Sequence, residues 1–136
     1  MVGSLLLALL SSLAIAKTPE RILAQVSPSV VGIDVIDAHG KSIGRGSGVV
    51  IGEGQVITSC RGIKEAKKWQ VHRSGVTFNA TLQSAAPDRD LCQLNVPRLQ
   101  APDIALGTAE KLGVGQRIYA VGAPTERKRQ EGGNRS

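Results

Sequence analysis

Few side chains in this sequence are equipped for chemistry, and their spacing narrows what they can do. Cys60 and Cys92 are the only cysteines, the minimum that can form one disulfide. A metal site is a poor alternative, because His39 and His72 stand alone and no C-x-x-C or H-x-x-x-H spacing occurs. No metal and no cofactor are therefore expected. The glycine-rich run "GRGSGV" around Ser47 fails the dinucleotide-binding fingerprint, since the third required glycine falls on Val49. Asp90, in "PDRD", reads as an aspartate capping the turn before a strand. Arg61, in "VITSCRGI", follows a buried strand. Its guanidinium stays protonated in proteins and offers no lone pair, so it can pair with a carboxylate but cannot act as a base.

The elements that must position these residues begin at residue 18. Thr18 is placed to cap a short amphipathic helix, with Pro19 at its first position, Glu20 in its first turn and Pro28 closing it. Strand patterns take over from there. "SVVGIDVID" (29–37) is the first arm of a hairpin, "AHGK" (38–41) its turn with Gly40 free to take positive φ, and "SIGRGSGVVI" (42–51) the return arm. "GEGQ" (52–55) turns the chain into "VITS" (56–59). Further strands are expected over 69–73, 76–85, 90–96 and 117–123. Short strands at such regular spacing argue an all-β antiparallel barrel or sandwich.

Charge and the two ends set further bounds. Lys and Arg number 17 against 11 Asp and Glu, a net charge of +6, which permits anionic partners. Nucleic-acid sites usually join a basic face to stacking aromatics, and Trp69, Phe78 and Tyr119 are the only aromatics, so no nucleic acid is expected. An anionic-surface or nucleic-acid role would rest on charge alone. Residues 5–16, "LLLALLSSLAIA", are almost wholly apolar, too short for a comfortable membrane span, and end in a small-x-small site. They read as an export signal cut behind Ala16, although the preceding "MVGS" has no basic residue. The expected organisation is a signal peptide over 1–16, a folded domain over 17–124 and a disordered polar tail over 125–136, in a periplasmic or secreted protein that meets a membrane only transiently.

Taken in order, "SPSVVGI", "GRGSGVVI", "GQVITSC", "DRDLCQLNV" and "IALGTAEKLGVGQRIYAVGAP" resemble the first barrel of trypsin-like serine proteases, the bacterial HtrA-type group in particular. The resemblance implies an antiparallel six-stranded barrel, the first of a chymotrypsin-like double-barrel fold, with a short N-terminal helix. It implies too that Asp90 stands at the catalytic aspartate and Arg61 at the catalytic histidine, and that Ser47 lies at a structural "GSG" where a strand begins tightly. In that family the histidine takes a proton from a serine and returns it, which Arg61 cannot do. An Arg61–Asp90 contact would be a salt bridge and no part of a triad. His72, on another strand beside Trp69 and Val71, is not expected to substitute for the missing base. The family's nucleophile belongs to a "GNSGG" segment of a second barrel, and the sequence contains no such segment. The resemblance thus implies a truncated, inactive serine endopeptidase homologue with no nucleophile, whose partners would be a polypeptide substrate or a protein bound by a pseudoprotease barrel. It also brings the neighbours of the two triad positions, Cys60 and Cys92, onto adjacent parts of the barrel, where they can form a disulfide.

Overall fold

A computed structural model describes residues 16–62 and 64–124; the expected export signal (bar Ala16) and polar tail lie outside the described residues. Helix α1 (Pro19–Val26) starts where its capping residues predict: Thr18 Oγ1 accepts the Arg21 N–H at 3.3 Å, with Pro19 in the first turn. Six strands follow, β1 (Val30–Ile36), β2 (Ser42–Gly52), β3 (Gln55–Thr58), β4 (Lys68–Arg73), β5 (Val76–Ala86) and β6 (Leu91–Asn95). They close into an antiparallel barrel in the order β1-β2-β3-β6-β5-β4, sealed by the pairing of β1 with β4. The first hairpin turns at Gly40 with φ +77°, as its sequence requires, and Asp37 Oδ1 accepts the N–H groups of His39 and Lys41 at 2.8 and 2.9 Å.

Alternation along the strands separates inside from outside. Val31, Ile33 and Val35 of β1, Val50 of β2, Val56 of β3, Trp69 and Val71 of β4 and Leu94 of β6 fill one core, which Val96 and Leu99 cap just after β6. The intervening residues point outward and join across strands through polar side chains. On one side Arg45, Asp34, His72 and Thr77 link β2, β1, β4 and β5; on the other Gln55, Gln93 and Ser84 link β3, β6 and β5. The sheet is thus apolar within and polar without, which a closed barrel of this size needs.

Glycine holds every inward-facing position at the start of β2. Gly44, Gly46 and Gly48 alternate with the outward Ile43, Arg45 and Ser47. At Gly48 a Cβ would lie 2.6 Å from a Val56 methyl and 3.2 Å from the Ile57 carbonyl, so the barrel is too narrow there for any side chain. At Gly46 a Cβ would meet nothing within 4 Å. The same residue type therefore permits close packing at one position and leaves open space at the other.

One expected strand is absent. Residues 117–123 form no ladder, and the segment from Ala101 to Pro124 runs outside the barrel, held by Ile104 N–H on the Val50 carbonyl at 2.8 Å and Ala123 N–H on Ser47 Oγ at 2.9 Å. Alternation alone does not make a strand: none of the ladders that close the six-stranded sheet includes residues 117–123. The alternation in "RIYAVGA" is present, but tertiary pairing decides whether it becomes a strand.

The two glycines make a testable contrast. Gly48→Ala should destabilise the barrel by about 1–3 kcal/mol through overpacking, while Gly46→Ala should change stability by less than about 0.5 kcal/mol. Urea unfolding followed through Trp69 fluorescence measures both; equal effects would contradict the packing described.

Candidate functional site

The residues singled out in the sequence gather at one end of the barrel, where β3 gives way to a turn. Thr58, the last residue of β3, pairs with Gly48 of β2 on one side and Cys92 of β6 on the other. Beyond it the chain follows only one neighbour. Cys60 is bonded to Cys92, with the Cα atoms 5.2 Å apart, and the Cys60 N–H donates to Asp90 Oδ1 at 2.8 Å. Both attachments hold Cys60 on β6, while a Cβ at Gly62, two residues on, would lie 3.5 Å from a Val35 methyl and 3.7 Å from Ile43. Both half-cystines are buried, Cys92 to 1% exposure.

Asp90 reaches this position through unusual backbone. It ends the short 3-10 turn Pro87–Arg89 at φ 53°, ψ 38°, with its N–H on the Pro87 carbonyl at 3.1 Å. A left-handed conformation disfavours most side chains but suits aspartate better than most. So the turn role read from "PDRD" is present, yet the carboxylate does not close that turn. It crosses to the Cys60 backbone, 30 residues away in sequence. Arg61 comes next in the chain and is exposed; among the described residues the side-chain ion pairs involve Asp34 and not Asp90. The Arg61–Asp90 salt bridge considered from sequence does not form.

Ser47 lies within β2, and its groups serve the fold: its carbonyl accepts from Thr58 Oγ1 at 2.9 Å and its Oγ from the Ala123 N–H. His72 is engaged elsewhere, with Nε2 3.1 Å from Asp34 Oδ2 and Nδ1 2.9 Å from Thr77 Oγ1. Arg45 Nε completes that outer chain on Asp34 Oδ1 at 3.0 Å. Sequence reasoning missed this network. Its signal was available in the first hairpin, because counting back from the "AHGK" turn sets Asp34 opposite Arg45.

Where β2 and the diverted chain part, a recess of about 270 Å³ opens. Ile33, Val35 and Trp69 form its apolar floor, the unsubstituted Gly44 and Gly46 one wall, and Thr58, Ser59 and Arg61 the other. Arg45 and Ile43 stand at the same opening. The cluster of candidate residues therefore adjoins a concave surface with an apolar base and cationic groups at hand.

A closed six-stranded antiparallel barrel with one short helix is the architecture of a chymotrypsin-like barrel. The chain belongs to the trypsin-like peptidase domain family, whose model matches residues 46–135. Among curated proteins it is 28% identical over 103 residues to the serine proteases Rv3671c and MT3772 of two Mycobacterium tuberculosis strains, a match covering 76% of this chain and 26% of theirs. Crystal structures of the Rv3671c protease superpose with TM-scores of 0.58 in its active form and 0.54 in its inactive form, each at 28% identity over 63% of this chain. These matches cover 38% and 40% of the crystallised chains, so this chain spans well under half of the relatives it resembles.

The cross-link at the site should carry much of its stability. Replacing Cys60 and Cys92 by alanine together frees a loop with a sequence separation of 32. That should cost about 3–4 kcal/mol on loop-closure entropy. Urea unfolding of the double variant against the oxidised chain measures the loss; unchanged midpoints, or two freely alkylated thiols in the folded oxidised chain, would contradict the cross-link.

Proposed function

We propose that this chain is a catalytically incompetent barrel of the trypsin-like peptidase family, with Asp90 at the aspartate position and Arg61 in place of the general-base histidine. One observation carries the reading: the Asp90 carboxylate is held at 2.8 Å on the Cys60 N–H, immediately before residue 61. A histidine at residue 61 would stand where a carboxylate could orient it. Arginine there remains a cation, unable to accept the proton a serine must lose. His72 is no replacement, because both its ring nitrogens are occupied by Asp34 and Thr77. The polypeptide substrates of active relatives come to this chain only as a class of molecule it would bind.

A second reading, a pseudoprotease barrel that binds protein, is favoured by the segment outside the sheet. Leu106, Val114 and Ile118 are 80, 111 and 76% exposed, with Leu112 and Tyr119 also outward. Exposed apolar side chains gathered on one segment favour an interaction surface. Both readings are proposed for a protein exported from the cytoplasm. Residues 5–16 support export, and so does the Cys60–Cys92 bond, since disulfides persist in oxidising compartments.

Hydrolysis of peptide esters and casein should stay at the buffer rate for the native chain, and for Arg61→His alone, because these 136 residues contain no "GNSGG" segment. Joined behind Pro124 to a serine-bearing second barrel of the family, the Arg61 form should remain inactive while the Arg61→His form gains roughly 10²-fold or more. Circular dichroism establishes that each chimera is folded. Turnover by a form that retains Arg61, copurifying with the protein, would refute the proposal.

Export is checked by intact mass. Protein recovered from an exporting host should begin at Lys17, the residue after the small-x-small site. Full-length chain accumulating in the cytosol would show that residues 5–16 do not direct secretion.

A further inference from the structure

The recess beside Arg61 has a use that proteolysis does not require. We propose that it captures the C-terminal residue of a polypeptide ending in an aliphatic side chain, with the terminal carboxylate on the Arg61 guanidinium. The inference deepens the protein-binding reading by naming the chemistry of the partner, and rests on that reading.

Charge selects an anion. Arg61 is exposed and carries no intramolecular ion pair among the described residues. Two acids of this end of the barrel are already engaged, Asp34 by Arg45 and His72, Asp90 by the Cys60 N–H. Residues 61–68 carry Arg61, Lys64, Lys67 and Lys68 against Glu65 alone, an excess of 4 − 1 = 3 positive charges. A planar guanidinium with five donors matches a carboxylate in two parallel hydrogen bonds, and the thread of lysines beside it raises the local concentration of anions.

Shape and floor select what the carboxylate is attached to. About 270 Å³ lies below the usual range for small-molecule pockets and suits one side chain better than a long acyl chain. Its base is apolar, made by Ile33, Val35 and Trp69, with Thr58 and Ser59 beside them in the lining. A branched aliphatic side chain therefore fits, and a charged one would be stripped of water without a partner.

The backbone selects a peptide over a free acid. From Ser42 to Ser47, β2 is laddered to β1 on one edge only, because its pairing with β3 begins at Gly48. The Cys60–Cys92 bond and the Asp90 hydrogen bond hold Cys60 on β6, and the chain after Thr58 forms no ladder with that second edge, although Gly62 lies beside Ile43. Main-chain groups of β2 are left there for an extended segment to pair with, beside the recess that would hold its last side chain.

Trp69 is the only tryptophan and lies in the floor, so its emission reports occupancy directly. The full chain is titrated with N-acetylated Gly-Gly-Ala-Leu bearing a free carboxylate, with the same peptide as its C-terminal amide, with a version ending in lysine, and with hexanoate. The free-acid leucine peptide should produce a saturable change, and the amide should bind at least roughly tenfold more weakly. Arg61→Gln should lose about the same factor for the free acid and little for the amide, with an unchanged circular dichroism spectrum; Arg61→Lys should recover part of the loss. Equal binding of acid and amide, an Arg61→Gln chain that binds as the native one does, or no saturable change at millimolar peptide would overturn the proposal. Hexanoate binding as tightly as the peptide would overturn its assignment to a polypeptide end. Turnover assays bear on catalytic incompetence and not on this site, so failure here leaves that reading standing, while saturable binding to an active enzyme would separate the two in the other direction.

Discussion

Closure of the sheet through the β1–β4 ladder is the constraint on which the other features depend. Val30–Ile36 must pair with Ser42–Val49 on one side and with Lys68–His72 on the other, and only the second pairing turns a row of six strands into a barrel. Once closed, the sheet buries its alternate residues in a single core and leaves few main-chain groups unpaired. It also fixes the outer face. Asp34 can reach Arg45 and His72 together because β2 and β4 flank β1, a placement that exists only in the closed form. The segment from Ala101 to Pro124 takes no part in its ladders.

Around one end of that barrel, three features share a physical cause. The disulfide from Cys60 to Cys92 and the hydrogen bond from Cys60 to Asp90 bind the chain after β3 to β6. The ladder with β2 ends in consequence, the unsubstituted Gly44 and Gly46 leave their side of the barrel open, and the recess forms between them and Arg61. In an active peptidase of this family, a histidine at residue 61 would give the arrangement a base oriented by a carboxylate. On the proposed reading, arginine there keeps the framework and exchanges proton transfer for charge pairing. That exchange is compatible with a folded barrel because Arg61 lies at the surface, where its charge remains hydrated.

The resemblance to trypsin-like proteases was legible from ordered short motifs, and the family match over residues 46–135 together with the structural superpositions agrees with it. The hairpin about Gly40, the helix capped by Thr18 and the six barrel strands were legible too, since each has a local signal: a turn residue, a cap, or alternation. The seventh strand read from residues 117–123 was not realised, because alternation reports a tendency and pairing requires an available edge. The outward network of Asp34, Arg45, His72 and Thr77 went unread for the opposite reason, its members being unremarkable one at a time and meaningful only in register.

By itself the sequence determined residue chemistry and local conformation. Arginine at position 61 cannot act as a base in any fold, glycines at 44, 46 and 48 remove three side chains from one face of a strand, and two cysteines permit one bond. Only the tertiary structure decided which of these meet. It carried the Asp90 carboxylate out of its own turn to the Cys60 backbone, left Arg61 without an acidic partner among the described residues, and turned the glycine run into close packing at Gly48 and open space at Gly46. The physical reason is that these outcomes depend on distances between separate elements, from eight positions apart for Gly48 and Val56 to 30 for Cys60 and Asp90, and local preferences carry no information about such distances until the strands have paired.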